Sequence, residues 1–332
     1  GLLSPAAHLA SGLAVAVSGV TSGIFIVLAN GWMNTPRGFR LLQGQPTDID
    51  PVAALFSPSG LAQVPHMILG AYAATGFAVA GIHAWQLLWH PDDPFHRRAL
   101  TIALWLGGIS ALLQPLSGDL LAKVVAVHQP AKLAAFEGQF ATEAGAPFRL
   151  GGIVDLDRRR LDYAIEIPYA LSLMLYLDPT ATVTGLDSVP RDQWPPVAIA
   201  RGAFQVMILC GGAMTFVTLW AGWQGWRYRA VARSRLFLKA VVLAGPLGFV
   251  ATEAGWIAAE VGRQPWIITG VMRTAAAVTP MPGLLVPLVF FGALYLMLAA
   301  IVLWILHHHI AAGSPVDSTV LKPPVERTVY ES

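Results

Sequence analysis

LLVPLVFFGALYLMLAAIVLWIL, residues Leu284–Leu306, runs for 23 residues without a charged side chain. At 1.5 Å per residue, about 20 apolar residues cross the hydrocarbon core of a bilayer. Lipid offers no partner to free backbone groups, so such a run must be helical. Working outward from it, five further runs meet the same test: Leu9–Ala29, His66–Trp89, Ala99–Leu116, Val197–Trp223 and Leu236–Ala259. The third continues through Ser117 to Leu121. Composition agrees. Of 332 residues, 55% are hydrophobic and only 12% charged, where a soluble domain carries about 25% charge. A soluble globule and a disordered chain are both excluded. A net charge of +2 gives no basis for nucleic-acid binding, and the single Cys210 excludes a disulfide framework or a CxxC metal site. The expected fold is an all-α integral membrane protein with six transmembrane helices. Eleven Trp, seven Tyr and fourteen Phe suit interfacial belts and a cofactor pocket.

These spans form one membrane domain over residues 1–310, with two polar stretches, Asn30–Pro65 and Lys123–Pro196, too polar to cross. The residues 311–332 read as a mobile tail, Pro-rich and then charged. The connection WRYRAVARSR carries Arg227, Arg229, Arg233 and Arg235 and no acid, and Arg97 and Arg98 lie between spans two and three. Six crossings place both connections on one side, which the positive-inside rule makes the cytoplasm. The two termini are then cytoplasmic, and residues 30–65, 123–196 and 260–283 face outward. No signal peptide precedes the first span, and the chain begins at Gly1 rather than Met.

Ionisable groups inside spans are costly and point to function. Lys239 lies one turn inside its boundary and can snorkel. Glu253 and Glu260 are seven residues apart, so they share one helix face; hydrogen-bonded structural acids are the bland alternative. His66 and Met207 stand near one membrane depth, where His and Met are a known axial pair for a low-spin haem, although an interfacial histidine and a packing methionine also account for them. His83 is about 26 Å further along the same helix and cannot serve that haem. His307, His308 and His309 resemble a metal tract but also suit a helix C-terminus.

At GWIAAEVGRQPW, Gly255–Trp266, the chain resembles subunit I of cytochrome bd quinol oxidases, and GRQPW is the specific core of that likeness. ANGWMNTP (Ala29–Pro36), VPHMILGAYAATG (Val64–Gly76), KLAAFEGQF (Lys132–Phe140) and YAIEIPYAL (Tyr163–Leu171) resemble further segments of that family. The resemblance implies the C-terminal part of a subunit I-like bundle with a long outer quinol loop, 123–196. It implies that His66 and Met207 ligate a low-spin haem b. Lys132 and Glu137 are then tied to quinol oxidation, and Glu260 serves a high-spin haem b as an iron-side ligand. Glu253, Trp256 and Arg263 line the cofactors, Trp256 between haems and Arg263 on propionates. His8 matches a family histidine whose role stays open.

Departures accompany the likeness. The chain begins where the family's fourth of nine helices begins, so the helix carrying the high-spin haem histidine is absent. Gln205 stands where the family usually has arginine two residues before the ligand methionine, and Arg201 lies one turn away. The implied function is a haem-binding subunit of a bacterial or archaeal inner-membrane quinol:O2 oxidoreductase that builds a proton-motive force. Its further cofactors are a haem d or another haem b shared with other chains. Its partners are a subunit II-like chain, a chain supplying the first helices, quinol and lipid. The alternatives are a split or derived complex passing electrons to another redox partner without its own O2 site, or an incomplete sequence. A transporter or passive scaffold on the same spans is the rival class, and it predicts unwinding at Pro246 and Pro287.

Overall fold

The computed structural model describes residues 4–228 and 234–311. Arg229, Arg233 and the tail 312–332 lie outside the described residues. Among the described residues, six helices are long and apolar enough to cross a membrane, one for each of the six runs. Residues 1–278 form one compact unit and 279–332 a second.

The first unit opens with α1 (Pro5–Asn34), the hairpin β1 (Arg40–Leu42) and β2 (Gln45–Thr47), and α2 (Pro51–Leu55). Then come α3 (Pro58–Trp89), α4 (Pro94–His128) and the short α5 (Pro130–Glu137). Next are β3 (Glu143–Ala144), β4 (Phe148–Asp155), β5 (Arg160–Ile167), α6 (Ala170–Tyr176) and β6 (Thr182–Val183). The unit ends with α7 (Val197–Tyr228), α8 (Arg235–Ala244), α9 (Leu247–Val261) and the strands β7 (Trp266–Ile268) and β8 (Met272–Arg273). The second unit contributes α10 (Leu285–Ala311), in which Pro287 sits in the first turn without unwinding the helix.

Helix starts are written locally. Ser4, Asp50, Ser57 and Asp93 each accept an N–H of the first turn, and each is followed by proline at the first helical position. There the missing N–H costs nothing. The third span is longer than its apolar run. α4 starts at Pro94 and carries past the membrane to His128, so Lys123 belongs to the helix and not to the loop; its ammonium pairs with Asp119 one turn back at 2.5 Å. The fifth span is broken into α8 and α9 at Gly245–Pro246, both still in right-handed helical conformation. Pro246 has no N–H to donate, so the ladder is interrupted over two residues only.

The bundle is held at crossings of small residues. α3 meets α1 where Gly60 faces Gly31, α4 where Gly76 faces Gly107, and α8 where Gly81 faces Gly245. Ala74 of α3 packs on Gly248 of α9 in the same way. Lipid removes the hydrophobic drive between helices, so close backbone approach supplies the attraction, and any Cβ at Gly76 would overlap the Gly107 backbone. Above this bundle the 143–183 region is ordered and not merely polar. β4 and β5 pair antiparallel from Phe148↔Ile167 to Asp155↔Arg160. Gly151 and Gly152 both take positive φ in β4, which bends it toward α7.

Candidate functional site

The site grows from α5. It starts at Pro130 and stops at Gly138, whose φ of +63° closes the helix in the left-handed region. Phe136 wedges this helix in place. Its ring stacks on Phe204 of α7 at 4.9 Å and lies against Gly262 at the end of α9. The consequence is that both ionisable residues of α5 are buried, Lys132 at 4% and Glu137 at 3% exposure. They face different neighbours.

Lys132 reaches into a polar chain between α1 and α9. Its Nζ donates to Asn34 Oδ1 at 2.9 Å and to the Ala259 carbonyl at 3.0 Å. Gln129 Nε2 donates to the same Asn34 oxygen and to Thr269, each at 3.1 Å. Asn34 Nδ2 donates onward to the Asn30 carbonyl and side-chain oxygen, and Asn30 Nδ2 donates to Glu260 Oε1. The other Glu260 oxygen takes Arg263 Nη2. One continuous path of donors, Lys132 to Asn34 to Asn30, therefore ends on the Glu260 carboxylate. Burial lowers the Lys132 pKa to about 7, with Arg263 adding to the fall and Glu260 opposing it. A neutral amine still carries two N–H bonds, enough for both contacts.

Glu137 faces the hairpin side. Burial raises its pKa to about 7, against the pull of Arg201 and Arg149. Its Oε2 has no hydrogen-bond partner among the described residues. Arg201 of α7 donates instead to three backbone carbonyls: Phe136 at 3.0 Å, Arg149 at 3.0 Å and Gly151 at 2.5 Å. Gln205 accepts the Gly151 N–H at 3.0 Å. Both residues thus hold the β4 bend, and Arg201 is committed to the loop. Arg149 in turn binds Glu143 and Glu166. Asn30, Asn34, Gln129, Arg149 and Arg201 were not singled out from the sequence as polar partners of Lys132 and Glu137; only the ANGWMNTP segment hinted at two of them.

The expected haem residues lie on the helices beneath. His66 Nδ1 meets Ser117 Oγ of α4 at 2.9 Å. Ser117 gives its hydroxyl proton to the Gln114 carbonyl at 3.0 Å. With the proton on Nδ1, His66 would donate to Ser117 and keep the Nε2 lone pair for a metal, the arrangement a metal-bound imidazole needs. Met207 lies against α9, where a Cβ on Gly255 would fall 2.9 Å from its sulfur. Arg263 is buried, and its Nε and Nη1 have no partner among the described residues. The orphaned Arg263 donors fit ionised haem propionates, and an imidazole braced by Ser117 at Nδ1 fits an iron ligand. Glu253 and Trp256 share an exposed stripe of α9 with Val250 and Ile257, whereas Glu260 on the same face is half-buried and paired. His83 is elsewhere, its Nδ1 2.9 Å from that of His96.

A family model described as cytochrome bd terminal oxidase subunit I matches residues 1–314. The chain belongs to the cytochrome bd terminal oxidase subunit I family. A Bacillus subtilis chain with the provisional name cytochrome bd menaquinol oxidase subunit I is 35% identical over 95% of this chain and 72% of its own length. A second Bacillus subtilis chain, cytochrome bd ubiquinol oxidase subunit 1, is 30% identical over 94% of this chain and 70% of its own. The structure of bd oxidase from Geobacillus thermodenitrificans superimposes with a TM-score of 0.84 at 37% identity, over 95% of this chain and 72% of that one. The cytochrome bd subunit I architecture, a multi-pass membrane oxidoreductase, is therefore that of this chain.

Proposed function

We propose that this cytochrome bd subunit is the quinol-oxidising, haem-carrying chain of a membrane quinol:O2 oxidoreductase. The observation that carries the reading is α5: a buried carboxyl with an orphaned oxygen and a buried amine, each shifted to about 7. A quinol losing electrons must also lose protons. Glu137, near half-ionised at neutral pH, is matched to accept one. Lys132 holds the other side of α5 in the Asn34–Asn30–Glu260 chain and can pass between charged and neutral forms without breaking its two hydrogen bonds. Bound haem supplies one-electron acceptance. His66 Nε2 and the Met207 thioether would ligate it, and the orphaned Arg263 N–H groups would hold its propionates. Glu260 as ligand of a second, high-spin haem would exchange Asn30 or Arg263 for iron. Trp256 and Glu253 line the stripe that this haem, a subunit II-like chain or a chain supplying further helices would cover.

On the orientation read from the arginine-rich connections, quinol protons leave outside and O2 reduction draws protons from the cytoplasm, which charges the membrane. The test is a purified preparation with its copurifying chains. A b-type haem spectrum that reduces on adding quinol, with quinol-dependent O2 uptake, is the expected result. Reduction without O2 uptake limits the chain to quinol dehydrogenation, and a preparation without haem overturns the proposal.

A further inference from the structure

At the far end of the bundle from α5, α3 and α8 leave a cleft of about 360 Å³ lined by Trp85, Trp89, Arg235, Lys239, Val242 and Leu243. Its lining is mostly apolar and much of it is exposed: Trp89 is 68% and Leu243 73% exposed. Arg235 and Lys239 stand one turn apart on α8 at its mouth. Neither has an ion-pair partner among the described residues. The chain from Gln224 to Lys239 holds no acid. The acids beyond the end of α3 are already engaged. Asp92 pairs with Arg97 at 3.6 Å, and Asp93 accepts the Phe95 and His96 N–H groups.

We infer that this cleft binds the headgroup of an anionic phospholipid from the leaflet on the Arg97–Arg98 side. Two uncompensated cations at a membrane surface attract an anion, and a guanidinium grips phosphate oxygens in a fork while an ammonium adds a point charge. Trp85 and Trp89, in edge contact at 6.1 Å, suit the headgroup level, where an indole meets both apolar chains and water. Val242 and Leu243 continue the cleft along α8 as an apolar track for an acyl chain. A free phosphate would use the cations and leave that track unfilled, which is why the occupant is a lipid. Basic clefts between transmembrane helices on the cytoplasmic side are physically suited to such headgroups.

The test reconstitutes the purified protein, with its copurifying chains, in phosphatidylcholine vesicles carrying a minor fraction of brominated phosphatidylglycerol or of brominated phosphatidylcholine. Quenching is read as the difference from a Trp85→Phe/Trp89→Phe variant, which isolates the cleft tryptophans. Brominated phosphatidylglycerol should be enriched at the cleft by about five-fold per basic residue, and Arg235→Ala/Lys239→Ala should lower its quenching to the phosphatidylcholine level. The charge-preserving Arg235→Lys/Lys239→Arg variant should retain most of the excess, and this separates lost charge from a disturbed fold. Equal quenching by both lipids overturns the inference. So does an excess that survives the double alanine variant.

Discussion

Lys132 Nζ lies 2.9 Å from Asn34 Oδ1, a bond across 98 residues that ties the loop helix α5 to the end of α1. Asn34 spends its other polar atom on Asn30, and Asn30 spends its amide on Glu260. Two amides in series, Asn34 and Asn30, therefore couple the loop that carries Lys132 to the carboxylate on α9.

Asn34→Leu removes the acceptor of both Lys132 and Gln129 while keeping the bulk. The expected loss is about 1–3 kcal/mol for buried donors left unmade, read as a lower thermal midpoint. Combined with Lys132→Met, the loss should be clearly less than additive, because the two residues share one bond. Additive losses would refute the coupling.

Glu137→Gln should change a pH profile. With a pKa near 7, the wild-type carboxylate forms as pH climbs through 7, and quinol oxidation should rise with it. The Gln variant should lack that rising limb and run about 10²–10⁴-fold slower, with its haem spectrum unchanged. An unaltered limb assigns the proton acceptor elsewhere.

Stability should also bend with pH, and the signs differ. The folded pKa of Glu137 is raised from 4.5 to about 7, so its burial penalty is absent below 4.5 and complete above 7. That of Lys132 is lowered from 10.5 to about 7, so its penalty is complete below 7 and relieved as pH rises toward 10.5. The two overlap near neutrality. Lys132→Met/Glu137→Gln should flatten a stability dip around pH 7, and denaturant midpoints across pH 4–10 would reveal it.

Met207→Leu should abolish the six-coordinate low-spin spectrum and leave the protein in the membrane. Ser117→Ala removes the acceptor that orients His66 and should weaken haem retention by about 10–100-fold. Absorbance of the reduced protein separates these outcomes, and a spectrum unmoved by Met207→Leu rejects the ligand.

Arg201→Ala deprives the Phe136, Arg149 and Gly151 carbonyls of one shared donor. Buried charged hydrogen bonds contribute about 1.5–3 kcal/mol each, so β4 should detach before the bundle melts. Faster protease cleavage within 148–167, with helix content retained, is the expected sign.

Six membrane helices were legible from the sequence because lipid leaves a backbone no other solution, so apolar length alone decides them. The Ser–Pro and Asp–Pro helix starts are also local chemistry, but the span reading passes over them, and a break at Pro246 is expected only of the rival transporter class. Motif likeness pointed to Lys132 and Glu137 for quinol, His66 and Met207 for a low-spin haem and Glu260 for a high-spin one. What the sequence could not show is who faces whom. Lys132 and Glu137, five residues apart, turn to different networks because Phe136 is wedged between Phe204 and Gly262. Arg201, one turn from Gln205, is spent on the Phe136, Arg149 and Gly151 carbonyls. Glu253 and Glu260 share a helix face, yet only Glu260 meets Asn30 and Arg263. Hydrogen-bond partners and burial depend on contacts between residues far apart in the chain, and only the packing of the helices brings those residues together.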